Sequence, residues 1–429
     1  MPRTREIKQK FKSAIRRGTG EAYLLLRSYP KVNFLKEISQ ACLKNYAYDG
    51  QCESSRASYL YELAVLSGNA EQIKPAILNS LALEKEDTWS LVQLFELAKL
   101  YTQGGHADAK EAIYKRFMKY PFSSADWAGY PEIIDLDGFD GLKFIASKMG
   151  EALQNNPDDW QDDGIIRYFQ KENPDIDAWR GLEEAGRENL FIKTYLDNVR
   201  KTGGSRDKPI LEKANYANVV EEVLLTKSRI KLAYRNWTKK DLTLIAKQLI
   251  IEKNKQNQAK LLSIFRNNKF PLNSSFILDI TKSKTTPDIS HSAFNALALL
   301  KDTNVRNFAI NGILNTTSPQ KFTIIFKANY KTGDHEKLAK VVFDTKNEAL
   351  IELLMVSLIE VYRFNKLKEC AIPLEALYNK SNCALHRYHL IKLLIVNGVL
   401  SSKIKNELEF DCNNDIRQLA EGKVVQVIS

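Results

Sequence analysis

Helix starts recur at a nearly constant interval in the second half of the chain, and this spacing restricts the fold more than any other feature. Apolar residues there follow a helical period, and short polar breaks separate one periodic segment from the next. The breaks place successive helix starts 31 to 34 residues apart, near Thr238, Leu272, Thr303, Asp334, Lys366 and Leu400. Such a period is typical of stacked helical hairpins. The sequence therefore predicts an all-α fold, a right-handed α-α superhelix (solenoid) of hairpins that bury each other's apolar faces.

Helical periodicity extends through the first half as well, whereas strand-like alternation is nearly absent. The chain has 19 Gly and 12 Pro among 429 residues, which is too few for the many tight turns of a β-sandwich. A helix that contains Leu94 and Phe95 is predicted to end at Gly104, and a second helix follows it as a hairpin. Residues 121–137 are predicted to form a long loop before a helix near 138–153.

The charge distribution predicts two domains. Residues 1–50 carry 11 basic and 4 acidic side chains, residues 51–200 carry 16 and 26, and residues 201–429 carry 36 and 22. The balance reverses at the flexible sequence Gly203-Gly204-Ser205. We therefore predict a helical-hairpin domain over 1–204 and a repeat domain over 205–429. A basic second domain favours an anionic partner, although surface lysines that merely face solvent would give the same count.

Two short motifs resemble the start of the second helix in HEAT repeats. Residues 302–309 (DTNVRNFA) and 414–420 (NDIRQLA) each open with Asn or Asp and continue with an aliphatic residue, an Arg and an Ala three positions after the Arg. The resemblance, to HEAT-repeat proteins of bacteria, covers about residues 238–421. It implies that the polar residue caps the helix, the aliphatic residue and Ala pack between helices, and Arg306 and Arg417 run along the stack.

A second resemblance lies in the first half. Residues 97–121, with Leu97-Ala98, Tyr101, Gly104 and Pro121, are similar to tetratricopeptide repeats. Neither resemblance brings a catalytic motif with it, because repeat arrays are scaffolds whose function depends on the surface they present. Residues 410–424 are predicted to form a final, more polar capping helix.

The strongest candidate binding site is the segment 227–240, which has six basic residues and no acid. If the segment is one helix, Lys227, Lys231 and Arg235 share a face at a spacing of about 6 Å, close to a phosphate-to-phosphate step. Tyr234 and Trp237 would then stack on bases or pack inward. The alternative is a solvated helix face with core aromatics. The candidate anion-binding or nucleic-acid-binding residues are Lys227, Arg229, Lys231, Tyr234, Arg235, Trp237, Lys239 and Lys240.

The amino-terminal segment is a second basic region. Its apolar residues Ile7, Phe11, Ala14 and Ile15 form one stripe among basic residues, so it is predicted to be an amphipathic helix. Such a helix either binds an anionic surface or caps the array with a charged outer face.

Cys383, His386 and His389 are close enough in sequence to be weighed as a metal site, with Cys370 and Cys412 as further thiols. His389 lies well round a helix from Cys383, so buried thiols and packed imidazoles explain the pattern better than a metal does. The motifs for phosphate loops, dinucleotide binding, zinc proteases and serine-hydrolase elbows are absent. We predict no catalytic residue, no metal and no cofactor, and the sequence leaves open whether residues distant in the chain form a composite active site.

The five cysteines form no disulfide framework, and the odd number leaves at least one thiol free. The charged first residues contain no secretory signal, and no apolar run is long enough to span a membrane. These features predict a cytoplasmic protein, while the oligomeric state stays open.

We therefore expect a non-enzymatic binding or scaffold protein that presents a concave surface to a protein partner. The alternative is a nucleic-acid-binding or base-processing protein on a HEAT-like fold, comparable with the alkylpurine DNA glycosylases. The basic second half and the pairing of Tyr234 and Trp237 with basic residues are its basis.

Overall fold

A computed structural model of the chain describes residues 3–120, 128–159, 161–202, 216–283 and 285–422. Within these ranges the regular structure is helical and no residue lies in a β-strand, so the predicted all-α class is confirmed. None of the helices in the described ranges combines the length and the apolar character that crossing a membrane requires.

The chain divides into two compact units that do not follow chain order. Unit 1 comprises Met1–Ile210 together with Asn406–Ser429, and unit 2 comprises Leu211–Lys405. The predicted boundary at 204/205 lies in residues 203–215, outside the described residues. The last segment, which the sequence assigns to the second domain, groups with unit 1 instead.

Unit 1 is built from twelve consecutive helices and a short return segment in the described ranges. The helices are α1 (Thr4–Arg17), α2 (Glu21–Ser28), α3 (Leu35–Leu43), α4 (Gly50–Glu53), α5 (Ala57–Leu66), α6 (Ala70–Leu83), α7 (Thr88–Gln103), α8 (Ala107–Lys119), α9 (Tyr130–Asn155), α10 (Gly164–Glu172), α11 (Ala178–Gly186) and α12 (Leu190–Thr202). Their apolar faces form one core that extends from Ile7 to Val199. The predicted stripe of α1, which contains Phe11 and Ala14, is fully buried in this core.

The predicted loop over 121–137 is wrong for its second part, because α9 already begins at Tyr130. Pro131 lies in the first turn of α9, where a missing N–H costs no intrahelical hydrogen bond. At Gly138 the backbone leaves the helical conformation, with φ 56° and ψ −129°, and the helix kinks there. Residues 121–127 lie outside the described part.

The return segment of unit 1 packs on its first helices. The segment contains a 3₁₀ turn, Leu408–Phe410, and a final helix, Asn414–Ala420, that is capped by the Asn413 side chain. The rings of Tyr23 and Phe410 stack at 4.1 Å, and Arg417 pairs with Glu62 through two hydrogen bonds of 3.0 and 2.9 Å. Gly20 permits this approach, because a Cβ at that position would lie 2.0 Å from the carbonyl oxygen of Glu407.

Unit 2 contains the remaining helices, which are numbered on from α12. They are α13 (Val219–Leu225), α14 (Arg229–Tyr234), α15 (Lys239–Ile251), α16 (Lys255–Ile264), α17 (Ser275–Lys282), α18 (Pro287–Ala298), α19 (Thr303–Leu314), α20 (Pro319–Thr323), α21 (Phe326–Asn329), α22 (Asp334–Asp344), α23 (Glu348–Phe364), a 3₁₀ turn Lys368–Cys370, α24 (Ala371–Tyr378), α25 (Ala384–Val396) and α26 (Ser402–Glu407), which crosses the limit between the units.

Two rows of helices make up unit 2. In the row that we call the continuous row, each helix packs on the next, in the order α14, α16, α18, α20 with α21, α23 and α25. The other row, which we call the grooved row, contains α13, α15, α17, α19, α22 and α24, and leaves grooves between some of its members.

Three predicted helix starts agree with the structure, and local capping explains two of them. Thr238 and Asp241 form a capping box at the start of α15, and the Asp302 carboxylate accepts hydrogen bonds from the first backbone N–H groups of α19. The third start, α22, begins at Asp334 as predicted. The starts predicted near Leu272, Lys366 and Leu400 differ from the helices by two to five residues.

Arg306 connects two members of the grooved row. Its guanidinium donates hydrogen bonds of 2.6 and 2.8 Å to the two carboxylate oxygens of Asp334, the first residue of α22. Asp334 is buried, so this bidentate pair is shielded from solvent. The pair therefore joins the first turn of α19 to the first residue of α22.

Candidate functional site

The basic segment 227–240 does not form the single helix that would align three cations. Its helix α14 has six residues, and the backbone is extended at Arg235. Lys227 precedes the helix and Arg235 follows it, so these residues and Lys231 do not share one helix face. The prediction of a phosphate-spaced row on this segment is therefore wrong.

Arg235 and Trp237 have structural roles in unit 2. Arg235 forms an ion pair with Glu222, and its guanidinium lies 4.5 Å from the centre of the Trp237 ring. The indole N–H of Trp237 donates a hydrogen bond of 2.9 Å to the carbonyl of Leu232. The Arg235 guanidinium and the Trp237 indole N–H are therefore both bonded within unit 2.

The other candidates of the segment face solvent. Tyr234 is 79% exposed, and the exposed lysines are Lys227, Lys231, Lys239 and Lys240. The side chain of Arg229 lies outside the described part of the structure. The exposed cations therefore lie before α14, on α14 and at the start of α15, so no single helix carries them all.

Lys239 also lines a groove on the surface of unit 2, which the sequence did not predict. It lines a groove of about 540 Å³ between the start of α15 and the turn after Phe270, which we call the lysine groove. Lys269 and Lys301 line the same groove, and none of the three ammonium groups has an ion pair within the described part of the chain. Its remaining lining residues are Leu242, Phe270, Pro271, Leu272, Asn273, Ser274, Leu300 and Asp302.

Asp302 is the carboxylate in that lining, and it is already bound. It accepts a hydrogen bond of 2.9 Å from the Ser274 hydroxyl and two more from the backbone N–H groups of Asn304 and Val305. Burial by itself would raise the pKa of Asp302, but these three donors bring the pKa below its ordinary value. The lysine groove therefore has an excess of unpaired positive charge.

A second groove, of about 650 Å³, lies between α17 and α19. We call it the asparagine groove because Asn304, Asn307 and Asn311 of α19 line one wall. Ser275, Asp279 and Lys282 of α17 line the opposite wall. Its apolar part consists of Leu278, Phe308, Gly312 and Phe322.

The Phe322 ring forms the floor of the asparagine groove, and Gly312 leaves the space for it. A Cβ at this position would lie 2.0 Å from two ring atoms of Phe322, so only glycine allows the ring to lie against α19. Phe322 also packs on Phe308 and Phe294, with ring centres 5.2 and 5.0 Å apart. The floor is thus a fixed aromatic surface.

The predicted thiol and imidazole candidates at 383–389 separate in the structure. Cys383 and His386 come together with Glu352 of α23, and one donor atom from each lies within 4.8 Å of the other two. His389 instead packs against the Tyr388 ring, and Cys370 and Cys412 lie elsewhere. Sequence reasoning missed Glu352 because it precedes Cys383 by 31 residues.

The Glu352 carboxylate closes the amino-terminal end of α25. It accepts hydrogen bonds from the Ser381 hydroxyl at 2.9 Å and from the backbone N–H groups of Asn382 at 2.8 Å and Cys383 at 3.2 Å. Nδ1 of His386 lies 2.9 Å from its second oxygen. Burial alone would raise the pKa of Glu352, but His386 and the other donors bring it below the ordinary value.

The same contacts act on His386 in the opposite direction. Hydrogen bonds with Cys383 and with Glu352 raise the pKa of His386 to about 10. The charged His386 imidazole therefore forms a stable ion pair with the Glu352 carboxylate, beside the Cys383 thiol. These three donors are also a set that Zn²⁺ accepts, although they are already bonded to each other and to the helix end.

Unit 1 contains a buried carboxylate of a different kind. Glu132 of α9 is 4% exposed, and one of its carboxylate oxygens has no hydrogen-bond partner in the described part of the chain. Burial raises the pKa of Glu132 to about 8, and the charge of nearby Glu96 contributes to that rise. Lys99 is close by, but it forms its 2.8 Å ion pair with Asp135.

Comparisons of the chain with protein-family models, with curated proteins and with solved structures give no match. The HEAT-like and tetratricopeptide-like resemblances therefore stay predictions. The grooves and their side chains are the basis for any functional interpretation.

Proposed function

We propose that the chain is a non-enzymatic binding protein whose unit 2 is a HEAT-like, right-handed solenoid, and that the grooved row binds a protein partner. The observation that carries the proposal is the lysine groove. Three lysines that have no ion pair among the described residues, an apolar floor and a carboxylate that is already bound make this groove complementary to an acidic polypeptide segment with apolar side chains.

The continuous row supports the assignment of the grooved row as the binding face. Its helices pack on one another in series, so their facing surfaces are used for stability. The grooved row keeps polar and charged side chains in concave sites, which is where ligands bind.

The experiment uses the full chain and three fluorescent probes: a twelve-residue peptide of alternating Glu and Leu, a twelve-nucleotide single strand and a twelve-base-pair duplex. We expect the peptide to bind more tightly than either nucleic acid. Replacing Lys239, Lys269 and Lys301 by Ala should weaken peptide binding at least tenfold. As a matched control, Lys227, Lys231 and Lys240 are replaced by Ala, which should leave the affinity within about twofold. Equal loss in both triple variants would show a general charge effect and contradict the proposal.

Nucleic-acid binding is the second candidate, because the same three lysines would also contact phosphates. In that case affinity falls steeply with salt, by a logarithmic slope of about −0.7 per phosphate contact on a single strand. A slope of about −2 for the single strand, together with no peptide binding, would replace the first proposal by this one. We do not extend the candidate to base processing, since the carboxylate of the groove, Asp302, is bound to Ser274 and to the start of α19.

A further inference from the structure

We propose that the asparagine groove binds an extended polypeptide segment through the main chain of that segment. This inference rests on the proposed function of unit 2, and it adds a second site and a mode of recognition. The site is defined by three side-chain amides on α19 and the aromatic floor beneath them.

The side-chain amides of Asn304, Asn307 and Asn311 make no hydrogen bond within the described part of the chain. All three residues are exposed, and their side chains have no hydrogen-bond partner among the described residues. Asn295 on α18 is different, because its side chain donates to the backbone carbonyl of His291. The three groove amides are therefore available to a ligand.

Helix α19 loses stability by carrying these residues. Asn and Gly are poor helix formers, with costs of about 0.5–1 kcal/mol each relative to Ala. Three Asn and Gly312 occupy a helix of 12 residues, and none of the three Asn side chains fills the core. Departures from local stability rules are expected where a surface has a function.

An amide side chain is complementary to a peptide main chain. It donates and accepts at the same time, as a peptide unit does, whereas a phosphate oxygen only accepts. Asn307 and Asn311 lie one helical turn apart, about 6 Å along the axis, and two residues of an extended chain span about 6.6 Å. Neighbouring amides can therefore bind alternate peptide units of one extended segment.

The floor of the groove accepts a side chain of that segment. Successive side chains of an extended chain point to opposite sides, so every second one faces the floor. Phe308, Phe322 and Leu278 provide an apolar site there. We expect an apolar residue of the ligand at this position.

The charges of the groove favour a peptide over a nucleic acid. Asp279 and Lys282 face the groove from α17 and balance each other. A phosphate chain would meet the carboxylate of Asp279, and no excess of positive charge in the groove offsets that repulsion. A neutral main chain meets no such penalty.

The test begins with selection of twelve-residue peptides from a random display library on the full chain. Selected peptides are then measured by fluorescence anisotropy against a variant with Asn304→Ala, Asn307→Ala and Asn311→Ala. We expect at least a tenfold loss of affinity and an equal or higher thermal midpoint, because Ala favours the helix. A control with Asn295→Ala and Asn379→Ala removes amides elsewhere in unit 2 and should keep the affinity within twofold.

Main-chain recognition is tested on the peptide itself. Each peptide N–H is replaced in turn by N-methyl, and we expect a loss of binding at alternate positions. Loss at no position, or affinity unchanged in the triple Asn variant, overturns the inference. If the selected peptides instead lose affinity only when Lys239, Lys269 and Lys301 are replaced, peptide binding by unit 2 stands and this inference fails. If no peptide is selected and only oligonucleotides bind, both fail.

Discussion

Glu132 in unit 1 and Glu352 in unit 2 are both buried glutamates on long helices, yet their pKa values shift in opposite directions. Burial raises the pKa of Glu132 to about 8, because one oxygen lacks a partner in the described residues and Glu96 adds like charge. The same desolvation acts on Glu352, but four donors reverse it: the His386 ring, the Ser381 hydroxyl and the backbone N–H groups of Asn382 and Cys383. The contrast shows that partners, and not burial alone, decide the charge of an internal carboxylate.

The largest effect is expected when the paired carboxylate is removed. Glu352→Ala leaves His386 and two backbone N–H groups without their acceptor, so we expect a loss of about 3–5 kcal/mol in the free energy of unfolding. Chemical denaturation at pH 7 measures the loss. Glu336→Ala, on an exposed position of α22, is the control and should change the value by less than about 0.5 kcal/mol. A loss at residue 352 no larger than the control's would show that the contacts of Glu352 contribute nothing.

Removal of the charge of Glu132 should stabilise the protein, in contrast to the loss expected for Glu352→Ala. The folded pKa of Glu132, about 8, lies above its ordinary value of 4.5, so its contribution to stability is complete below pH 4.5 and is lost as pH rises toward 8. Glu132→Gln removes this loss. We expect the variant to be more stable than the parent by about 3 kcal/mol at pH 7 and equal to it at pH 4.5, as measured by urea unfolding across that range. A parent protein at least as stable as the variant at pH 7 would contradict the account.

His386 gives a smaller effect in a different pH window. Its folded pKa is raised to about 10, so the stability that its charge provides is complete below pH 6.5 and is lost as pH rises toward 10. We expect His386→Asn to reduce the free energy of unfolding by about 1.5–3 kcal/mol at pH 6, with no difference from the parent above pH 10. Thermal unfolding at several pH values tests this. An equal deficit at every pH would mean that the ring acts only through its shape.

The smallest effect on stability is expected in unit 1, where Lys99 lies close to Glu132. Lys99 lowers the pKa of Glu132 by its charge, although its hydrogen bond goes to Asp135. Lys99→Met should therefore raise the pKa of Glu132 above its present value of about 8, while stability at pH 5 changes by less than about 1 kcal/mol. Carboxyl ¹³C chemical shifts over a pH titration follow the pKa directly. A pKa that does not change would show that the charge of Lys99 does not act on Glu132.

Part of this architecture could be predicted from the sequence because it depends on local signals. The starts of α15 and α19 follow from caps made by Thr238 and Asp302, within three residues of the groups they bind. The apolar period also gave the all-α class. By contrast, the contact of Glu352 with Cys383 depends on how two hairpins pack, and no local pattern contains it.

The candidate sites also differ in whether a local sequence signal or the packing of helices determines them. The basic segment was recognised by composition, but composition did not reveal that α14 ends at Tyr234 or that Arg235 pairs with Glu222. The asparagine wall did have a sequence signal. Asn304, Asn307 and Asn311 are spaced three and four residues apart, and Gly312 follows them. The spacing predicts one exposed helix face of poor helix formers, a pattern that packing does not require.

The ion pair between Glu62 and Arg417 joins residues that are 355 positions apart. A ribosome that adds about 5–20 residues per second needs roughly 20–70 s to synthesise the chain between them. During that interval the first helices of unit 1 exist without the segment that covers Tyr23 and Gly20, while unit 2 emerges in full. Nascent chains of this protein should therefore display an apolar surface that chaperones recognise, until the helix Asn414–Ala420 has been synthesised.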